Sequence, residues 1–189
     1  MKSVVILASG NGSNFEAIVR KIRSNNWPIE VRALITDNPG AYVLIRAQRL
    51  KIPYEVLDFK SFPNKVAYNT MLFERLKANT PDLIILAGYM RILPDFIVEH
   101  FRNKIINIHP ALLPAFPGVR AIERAYEAGC KVTGITIHYV DERVDSGPII
   151  EQVCTKVRKG ESLESLEKRI HRLEHKFYPL VIKKLLLGD

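Results

Sequence analysis

Apolar and polar residues follow two different periods along the chain, and the two periods separate strands from helices. Short apolar runs rich in β-branched residues predict buried strands at Ser3–Ala8, Val31–Thr36, Tyr54–Leu57, Leu83–Ala87 and Lys104–Ile108. Between these runs lie segments with helical spacing, such as Phe15–Ile22 and Met71–Leu76. Apolar strands separated by helices are typical of a mostly parallel sheet covered on both faces, so the fold class is predicted to be α/β and doubly wound.

The pattern changes after the fifth of these strands. Residues 110–118 contain three prolines and one glycine, too many breakers for a regular element. A short helix is predicted at Ala121–Ala128. Two further strands, at 132–139 and about 148–157, are expected to form an antiparallel pair at the far side of the sheet.

The last segment, Ser162–Leu187, carries an apolar stripe at helical spacing and predicts a helix that faces the core. Pro179 is expected to bend or interrupt this helix, because proline lacks the backbone N–H. No linker, repeat or low-complexity stretch divides the chain, which favours a single domain over residues 1–189.

Composition places the chain among globular proteins. Hydrophobic residues make up 47% and charged residues 25% of its 189 residues. No apolar run approaches the roughly 18 residues of a membrane helix, and the run Val4–Ala8 leads into Gly-Asn-Gly-Ser rather than a signal-peptide cleavage site. Cys130 and Cys154 have neither disulfide-framework nor metal-ligand spacing. We therefore predict a cytoplasmic protein with no membrane partner and no metal.

The net charge of +8 allows either a nucleic-acid partner or a small anionic ligand. The basic residues are scattered, with short clusters only at Lys156–Lys159 and Lys183–Lys184, and no aromatic residues interleave with them. The pattern favours a solvated surface and small anionic ligands, and no nucleic acid is predicted as a partner.

The loop Ser9–Asn14 follows a buried strand and opens a helix, a position where free N–H groups attract anions. Ser13 and Asn14 are expected to cap this helix and to add donors, and Ser9 is interpreted as a phosphate or cap residue. The loop matches neither a nucleoside-triphosphate loop nor a dinucleotide fingerprint, and only Asp37 is near the position of a ribose-binding acid. A phosphate monoester suits the loop best; the alternative is a tight turn that only caps its helix.

Asn107 and His109 lie two residues apart at the end of a buried strand, so both project to the same face. The carboxyl end of a parallel strand is where open α/β sheets place ligands. Burying an amide and an imidazole costs free energy unless each finds a partner, which indicates a polar site. Asp145, in the turn Asp145–Pro148, could orient the imidazole and favour its protonated form, although this sequence is first of all typical of a turn.

Four segments together resemble the folate-dependent formyltransferases. They are Ser9–Asn14 (SGNGSN), Leu86–Leu93 (LAGYMRIL), Ile106–Pro114 (INIHPALLP) and the run from His138 to Asp145–Pro148 (DSGP). The resemblance extends from about Val4 to Leu187, and the first segment narrows it to the branch that acts on glycinamide ribonucleotide. It implies transfer of a formyl group from 10-formyltetrahydrofolate to the primary amine of that nucleotide in de novo purine biosynthesis, by a monomer or homodimer.

The resemblance also implies roles for particular residues. Gly12, Ser13 and Asn14 would hold the substrate phosphate, and Glu174 would contact the sugar phosphate. The folate pocket would be lined by Lys65, Met90, Arg91, Ile92, Leu93, Asn107, Val140, Asp141 and Asp145. Residues of about 1–100 would form a phosphate-binding half, and residues of about 86–189 a folate-binding and catalytic half. Lys65 stands where the family is expected to carry arginine, so the charge is kept but the bidentate fork is lost.

The expected chemistry is direct acyl transfer, with Asn107, His109 and Asp145 as the catalytic residues. The substrate amine attacks the formyl carbon, so no serine or cysteine nucleophile is required. Asn107 and protonated His109 would hydrogen-bond the tetrahedral oxyanion, and one such donor is typically worth about 3 kcal/mol. His109, or a water held by Asp145, would carry the proton from the amine to the folate nitrogen.

Three other functions fit parts of the pattern. A hydrolase that deformylates the same folate is expected to have an additional N-terminal domain. A formyltransferase for initiator tRNA is expected to have a nucleic-acid-binding domain, and a related enzyme acts on a nucleotide sugar. A non-catalytic phosphate- or nucleotide-binding module explains the Ser9–Asn14 loop but not Asn107, His109 and Asp145 together.

Overall fold

The computed structural model describes residues 1–188, and within them seven strands form one sheet. The strands are β1 (Lys2–Leu7), β2 (Ile29–Thr36), β3 (Tyr54–Val56), β4 (Leu83–Leu86), β5 (Ile105–His109), β6 (Val132–Tyr139) and β7 (Ile149–Lys156). Their order is β3-β2-β1-β4-β5-β6-β7. Strands β1 to β5 pair in parallel, and β6 pairs antiparallel with both β5 and β7. The predicted mostly parallel α/β sheet and its antiparallel terminal pair are confirmed.

Six α-helices and one 3-10 turn, Phe59–Ser61, accompany the sheet in the described part of the chain. The helices are α1 (Ser13–Ser24), α2 (Val43–Arg49), α3 (Lys65–Asn79), α4 (Asp95–His100), α5 (Ala121–Glu127) and α6 (Leu163–Leu187). The sequence pattern did not predict α2 and α4, which have 7 and 6 residues. Segments this short hold two turns or fewer, so the pattern has little length in which to repeat.

Two hydrophobic cores lie on the two faces of the sheet. Successive strand residues point to opposite faces, and accordingly Val4 and Ile6 belong to one core while Val5 and Leu7 belong to the other. Helices α1, α2, α5 and α6 supply the first core, and α3 and α4 supply the second. The helices therefore cover both faces, which leaves the ends of the strands as the place for a ligand.

Pro179 lies inside α6, which continues unbroken on both sides of it. Pro179 therefore does not interrupt the helix, and of the two expected effects only a bend stays a prediction. The neighbouring Tyr178 is fully buried, and its hydroxyl donates to the carbonyl oxygens of Leu86 (2.9 Å) and Ile106 (3.2 Å). These bonds attach α6 to β4 and β5 and hold the helix in place although the proline removes one backbone hydrogen bond.

The proline-rich segment after β5 is fixed to the last two strands by side-chain hydrogen bonds. Thr136 Oγ1 donates to the Ala111 carbonyl (2.7 Å) and accepts from the Leu113 amide (3.0 Å). Gln152 Nε2 donates to the Leu113 carbonyl (2.8 Å). The Leu113–Pro114 peptide bond is cis. These contacts hold the segment over the end of β5, next to His109.

Three observations on residues 1–188 bear on the class of function. None of their helices combines the length and the apolar character needed to cross a bilayer. Cys130 and Cys154 are both free thiols. Among these residues, no group of three or more His, Cys, Asp or Glu side chains is placed to hold a metal ion.

Candidate active site

Two cavities open side by side at the carboxyl ends of the parallel strands. The first cavity, of about 470 Å³, is lined by the Gly10–Asn14 loop, by Gly118–Ala121 and by residues of α6. The second cavity, of about 310 Å³, lies between Tyr89–Leu93 and the loop Val140–Asp145. Asn107 lines both cavities. Two ligands bound in the two cavities would therefore meet beside Asn107.

The structure brings Asn107, His109 and Asp145 together at this junction. His109 Nδ1 lies 3.4 Å from Asp145 Oδ2, and both side chains are almost fully buried. The backbone amide of Gly118 donates to the same carboxylate oxygen at 2.8 Å. Asn107 and His109 both line the first cavity, as their spacing on β5 predicted. The carboxylate is thus held by the backbone on one side and faces the imidazole on the other.

The turn that carries Asp145 closes tightly onto the end of β6. Asp145 itself has a left-handed backbone, with φ of 51°. A Cβ on Gly147 would lie 1.8 Å from the carbonyl oxygen of Tyr139, so only glycine fits this position. The Tyr139 amide donates to the Pro148 carbonyl at 2.9 Å. The Asp-Ser-Gly-Pro sequence therefore serves both as a turn and as the support of the carboxylate.

The other ring nitrogen of His109 is engaged by the proline-rich segment. Nε2 lies 2.8 Å from the carbonyl oxygen of Phe116, which can only accept, so Nε2 carries a hydrogen and donates. Phe116 has a φ of 55°. Because Nδ1 faces Asp145 and Nε2 faces Phe116, the ring direction is set from both sides.

His138 is a site residue to which the sequence analysis assigned no role. It stands opposite Asn107 in the antiparallel register of β5 and β6. Its Nδ1 donates to the Tyr139 carbonyl (2.8 Å), which leaves Nε2 as an acceptor 3.5 Å from Asn107 Nδ2. Burial lowers the pKa of His138, although the Tyr139 carbonyl and the Asp145 charge oppose this shift. A neutral His138 therefore orients the Asn107 amide so that its nitrogen faces the ring.

The Gly10–Asn14 loop leads directly into α1. Gly12 is the N-cap residue, with φ of 76°, and α1 begins at Ser13 without a side-chain cap. The expectation that Ser13 and Asn14 cap the helix is therefore wrong, because both already lie within its first turn. Ser9 is not among the residues that line the first cavity, and its hydroxyl accepts from the Met90 amide at 2.9 Å. Ser9 joins β1 to the 88–93 segment.

Glu174 on α6 faces this loop from the other side of the first cavity. Its Oε2 accepts from Asn14 Nδ2 (3.1 Å) and from His171 Nδ1 (2.9 Å), and the residue is 4% exposed. The hydrogen bond to Glu174 raises the pKa of His171, although partial burial opposes that shift. His171, one helical turn before Glu174, had no assigned role in the sequence analysis. The first cavity thus combines a helix start with an acid and an imidazole whose protonated form that acid favours.

Most residues expected around the folate line the second cavity, namely Met90, Arg91, Ile92, Leu93, Asn107, Val140, Asp141 and Asp145. The Arg91 side chain also forms an ion pair, with Nε 2.7 Å from Asp37 Oδ2 and its guanidinium carbon 3.4 Å from the centre of the Phe59 ring. The Asp37 carboxylate is therefore already paired with Arg91. Lys65 is exposed at the first residue of α3 and is not among the residues that line either cavity.

A doubly wound sheet, an Asn-x-His pair, a facing aspartate and two joined cavities are together the features expected of a formyltransferase. Residues 1–182 match the family model described as formyl transferase, and the chain belongs to this family. It is a formyltransferase, and its relatives support formyl transfer in purine biosynthesis as its activity.

Among the curated relatives are the phosphoribosylglycinamide formyltransferases of Bacillus subtilis (50% identical; 98% of this chain, 95% of that protein) and Haemophilus influenzae (38%; 97% and 86%). The chain is also 40% identical, over 99% of its own length, to one part of the trifunctional purine biosynthetic protein adenosine-3 of Drosophila melanogaster. That part makes up 14% of the Drosophila protein. The phosphoribosylglycinamide formyltransferase structure of Bacillus halodurans is similar, with TM-score 0.93, 46% identity and coverage of 98% and 96%. The glycinamide ribonucleotide transformylase 1 of Geobacillus kaustophilus has TM-score 0.94, 46% identity and coverage of 98% and 99%.

Proposed function

We propose that this enzyme transfers the formyl group of 10-formyltetrahydrofolate to the primary amine of phosphoribosylglycinamide, in de novo purine biosynthesis. The observation that carries the proposal is the meeting of two differently lined cavities at Asn107. The first cavity is suited to a phosphorylated sugar, and the second cavity is suited to a flat, partly apolar cofactor. The names of the relatives support phosphoribosylglycinamide as the amine substrate, and the family implies the folate.

The phosphoribosyl part of the substrate would occupy the first cavity. The first N–H groups of α1 have no partners within the helix and carry the positive end of its dipole, so they suit a phosphate held by Gly12, Ser13 and Asn14. Glu174 can accept hydrogen bonds from ribose hydroxyls, and His171 adds a positive charge when protonated. This arrangement directs the glycinamide amine toward Asn107.

The folate would occupy the second cavity, between Met90–Leu93 and Val140–Asp145. Met90 and Ile92 are 76% and 61% exposed, more than is usual for apolar side chains of a soluble protein. Such exposure at the mouth of a cavity suits the apolar body of a cofactor that covers these side chains when it binds. The formyl group would then lie beside Asn107.

The reaction forms one carbon–nitrogen bond and breaks another. The amine lone pair adds to the formyl carbon, a tetrahedral oxyanion develops, and the bond to the folate nitrogen then breaks while one proton passes from the amine to that nitrogen. Asn107 Nδ2 is oriented by His138 and supplies one N–H to the oxyanion. His109, positioned by Asp145, or a water held by Asp145, carries the proton.

His109 can act on the reacting atoms only after its present hydrogen bond changes. Its Nε2–H points to the Phe116 carbonyl at 2.8 Å, and its Nδ1 faces Asp145. A role as oxyanion donor through Nε2 therefore requires the segment around Phe116 to release the ring when substrates bind. Asn107 Nδ2 carries two hydrogens and only one of them faces His138, so the other is available and Asn107 is the primary oxyanion donor in this mechanism.

An absorbance assay that measures consumption of the formyl folate, with and without phosphoribosylglycinamide, tests the proposal. A transferase consumes the folate only when the amine is present. Loss without the amine would indicate a folate hydrolase, and no loss under either condition would indicate a binding module. Free glycinamide, which lacks the whole phosphoribosyl group, tests whether that group is required.

A further inference from the structure

Helix α2 holds the phosphate-facing loop from behind. Its first residue, Val43, donates its amide to the Gly10 carbonyl at 3.0 Å. One turn later, Arg46 donates from Nε to the Asn11 carbonyl and from Nη2 to Asn11 Oδ1, both at 2.8 Å. Asn11 lines the first cavity, whereas Arg46 is not among its lining residues. Arg46 therefore reaches the site through Asn11.

Glu16 on α1 fixes the direction of the Arg46 guanidinium. It is 9% exposed and accepts from Arg46 Nη1, from Arg20 (2.7 Å) and from Arg49 (2.9 and 2.8 Å). Burial opposes the ionisation of Glu16, but the hydrogen bonds and charges of these arginines outweigh it and lower its pKa. With Nη1 on Glu16 and Nε and Nη2 on Asn11, every nitrogen of the Arg46 fork has a defined partner.

The contact matters because of the atoms that Arg46 engages. The Asn11 carbonyl and side-chain oxygen are acceptors, and an acceptor that turned toward a phosphate would repel it. Arg46 holds both oxygens away, so that the N–H groups of the following residues face the cavity. We propose that Arg46, fixed by Glu16, is a positioning residue that sets the loop for the phosphate of the substrate; this inference rests on the proposed function.

Arg49 provides a matched control from the same cluster. It carries the same charge, lies on the same helix and binds the same Glu16 carboxylate, but it forms no hydrogen bond with Asn11. Arg46→Ala and Arg49→Ala therefore remove equal charge near the loop, and only the first removes the two bonds to Asn11. Arg46→Lys keeps the charge and loses the planar fork that serves three acceptors.

The experiment measures KM for phosphoribosylglycinamide, KM for the formyl folate, kcat, and the inhibition constant of inorganic phosphate. Arg46→Ala is expected to raise the first KM and the phosphate inhibition constant about tenfold, as expected when hydrogen bonds from a charged donor are lost. The folate KM and kcat should stay within about threefold, since neither the reacting centre nor the second cavity is touched. Arg46→Lys should recover part of the loss, and Arg49→Ala should remain within about twofold of the native enzyme.

Equal shifts in Arg46→Ala and Arg49→Ala would overturn the inference, because they would indicate a general charge effect. Native-like phosphate inhibition in Arg46→Ala would overturn it too. Thermal shift with inorganic phosphate alone repeats the comparison without turnover and also verifies that each variant is folded. If the native enzyme has no turnover that depends on phosphoribosylglycinamide, the proposed function fails, while the phosphate shifts still decide the role of Arg46.

Discussion

At the scale of single residues, the reacting centre is organised by backbone carbonyl groups, which can only accept hydrogen bonds. The carbonyl oxygens of Tyr139 and Phe116 can only accept, so they fix which nitrogens of His138 and His109 carry a hydrogen. The His138 ring in turn sets the direction of the Asn107 amide, and the His109 ring presents its Nδ1 to Asp145. Backbone carbonyls outside the cavities thus determine the donors available within them.

Asn107→Ala is the most direct residue-scale prediction. If the amide donates mainly to the oxyanion, kcat should fall by about 100- to 1,000-fold, the usual cost of losing one such donor. Equilibrium binding of both substrates should change little, because the donor is used in the transition state. Steady-state kinetics and calorimetric binding measure the two effects separately. Asn79→Ala, which removes an exposed amide on α3, serves as the control. Turnover of Asn107→Ala within a few-fold of the native rate would refute the oxyanion role.

His171 predicts a pH dependence for substrate affinity. Its pKa is raised above the ordinary value of 6.5, so its charge is present below that value and is lost as the pH rises through the raised pKa. The KM for phosphoribosylglycinamide should therefore increase with pH over that range, by a few-fold, since a half-exposed charge contributes less than about 1 kcal/mol. His171→Gln should have a flatter profile. Ionisation of the substrate phosphate affects both enzymes equally, so identical profiles would remove His171 from the phosphate site.

At the scale of elements, the close contact of α1 and α2 depends on Gly12. A Cβ at this position would lie 2.3 Å from Val43 Cγ2, and the φ of 76° is unfavourable for any other residue. Gly12→Ala should therefore cost about 1–3 kcal/mol in the free energy of unfolding and raise the KM for phosphoribosylglycinamide. Gly10→Ala, two residues away with no atom within 4 Å of its Cβ, is the control. Urea denaturation compares the two variants, while kinetics compares Gly12→Ala with the native enzyme because Gly10 also lines the first cavity. Equal stabilities of the two variants would contradict this interpretation of the loop.

The sequence predicted the strands well because each is a short apolar run bounded by polar or turn residues. The same reasoning failed for α2, where Arg46 and the buried Val43 matter through contacts with a loop more than thirty residues earlier. The helix is not interrupted at Pro179, where Tyr178 attaches α6 to β4 and β5 through bonds between residues far apart in the chain. Local pattern identifies an element, whereas distant contacts decide whether a short or interrupted one is stable.

In the candidate site too, local pattern predicted some features, whereas others depend on contacts between residues far apart in the chain. The period of two in a strand was enough to place Asn107 and His109 on one face. The same alternation on β6 could have identified His138, had the register of β5 and β6 been known. The closeness of Asp145 to His109 depends on the turn at Gly147, and the resemblance rather than the spacing predicted it. Lys65 and Arg91 were assigned from the resemblance too, and in this chain Lys65 lies outside both cavities.

At the scale of the whole molecule, α6 joins the first cavity to the sheet. Its first turns are attached to β7 through Arg169, which donates to Thr155 Oγ1 and the Lys156 carbonyl, both at 2.7 Å. Its middle supplies His171 and Glu174, and Tyr178 attaches its later part to β4 and β5. The first cavity therefore depends on the packing of a single helix that contacts the central strands β4 and β5 and the edge strand β7.

Glu161 should make the stability of this attachment depend on acid. Its carboxylate is 3% exposed and binds Arg169 at 2.7 Å, and this bond, together with the Arg158 amide and the Ser165 hydroxyl, lowers its pKa from 4.5 to about 2 despite desolvation. A lowered carboxyl pKa stabilises the fold above the unfolded value, and the stabilisation is lost as the pH falls from 4.5 through about 2. The urea midpoint of the native protein should therefore drop across this window more than that of Glu161→Gln. Glu164→Gln, which removes an exposed carboxylate paired with Lys168, should follow the native curve closely. Parallel curves for all three proteins would mean that the Glu161–Arg169 pair does not stabilise the fold.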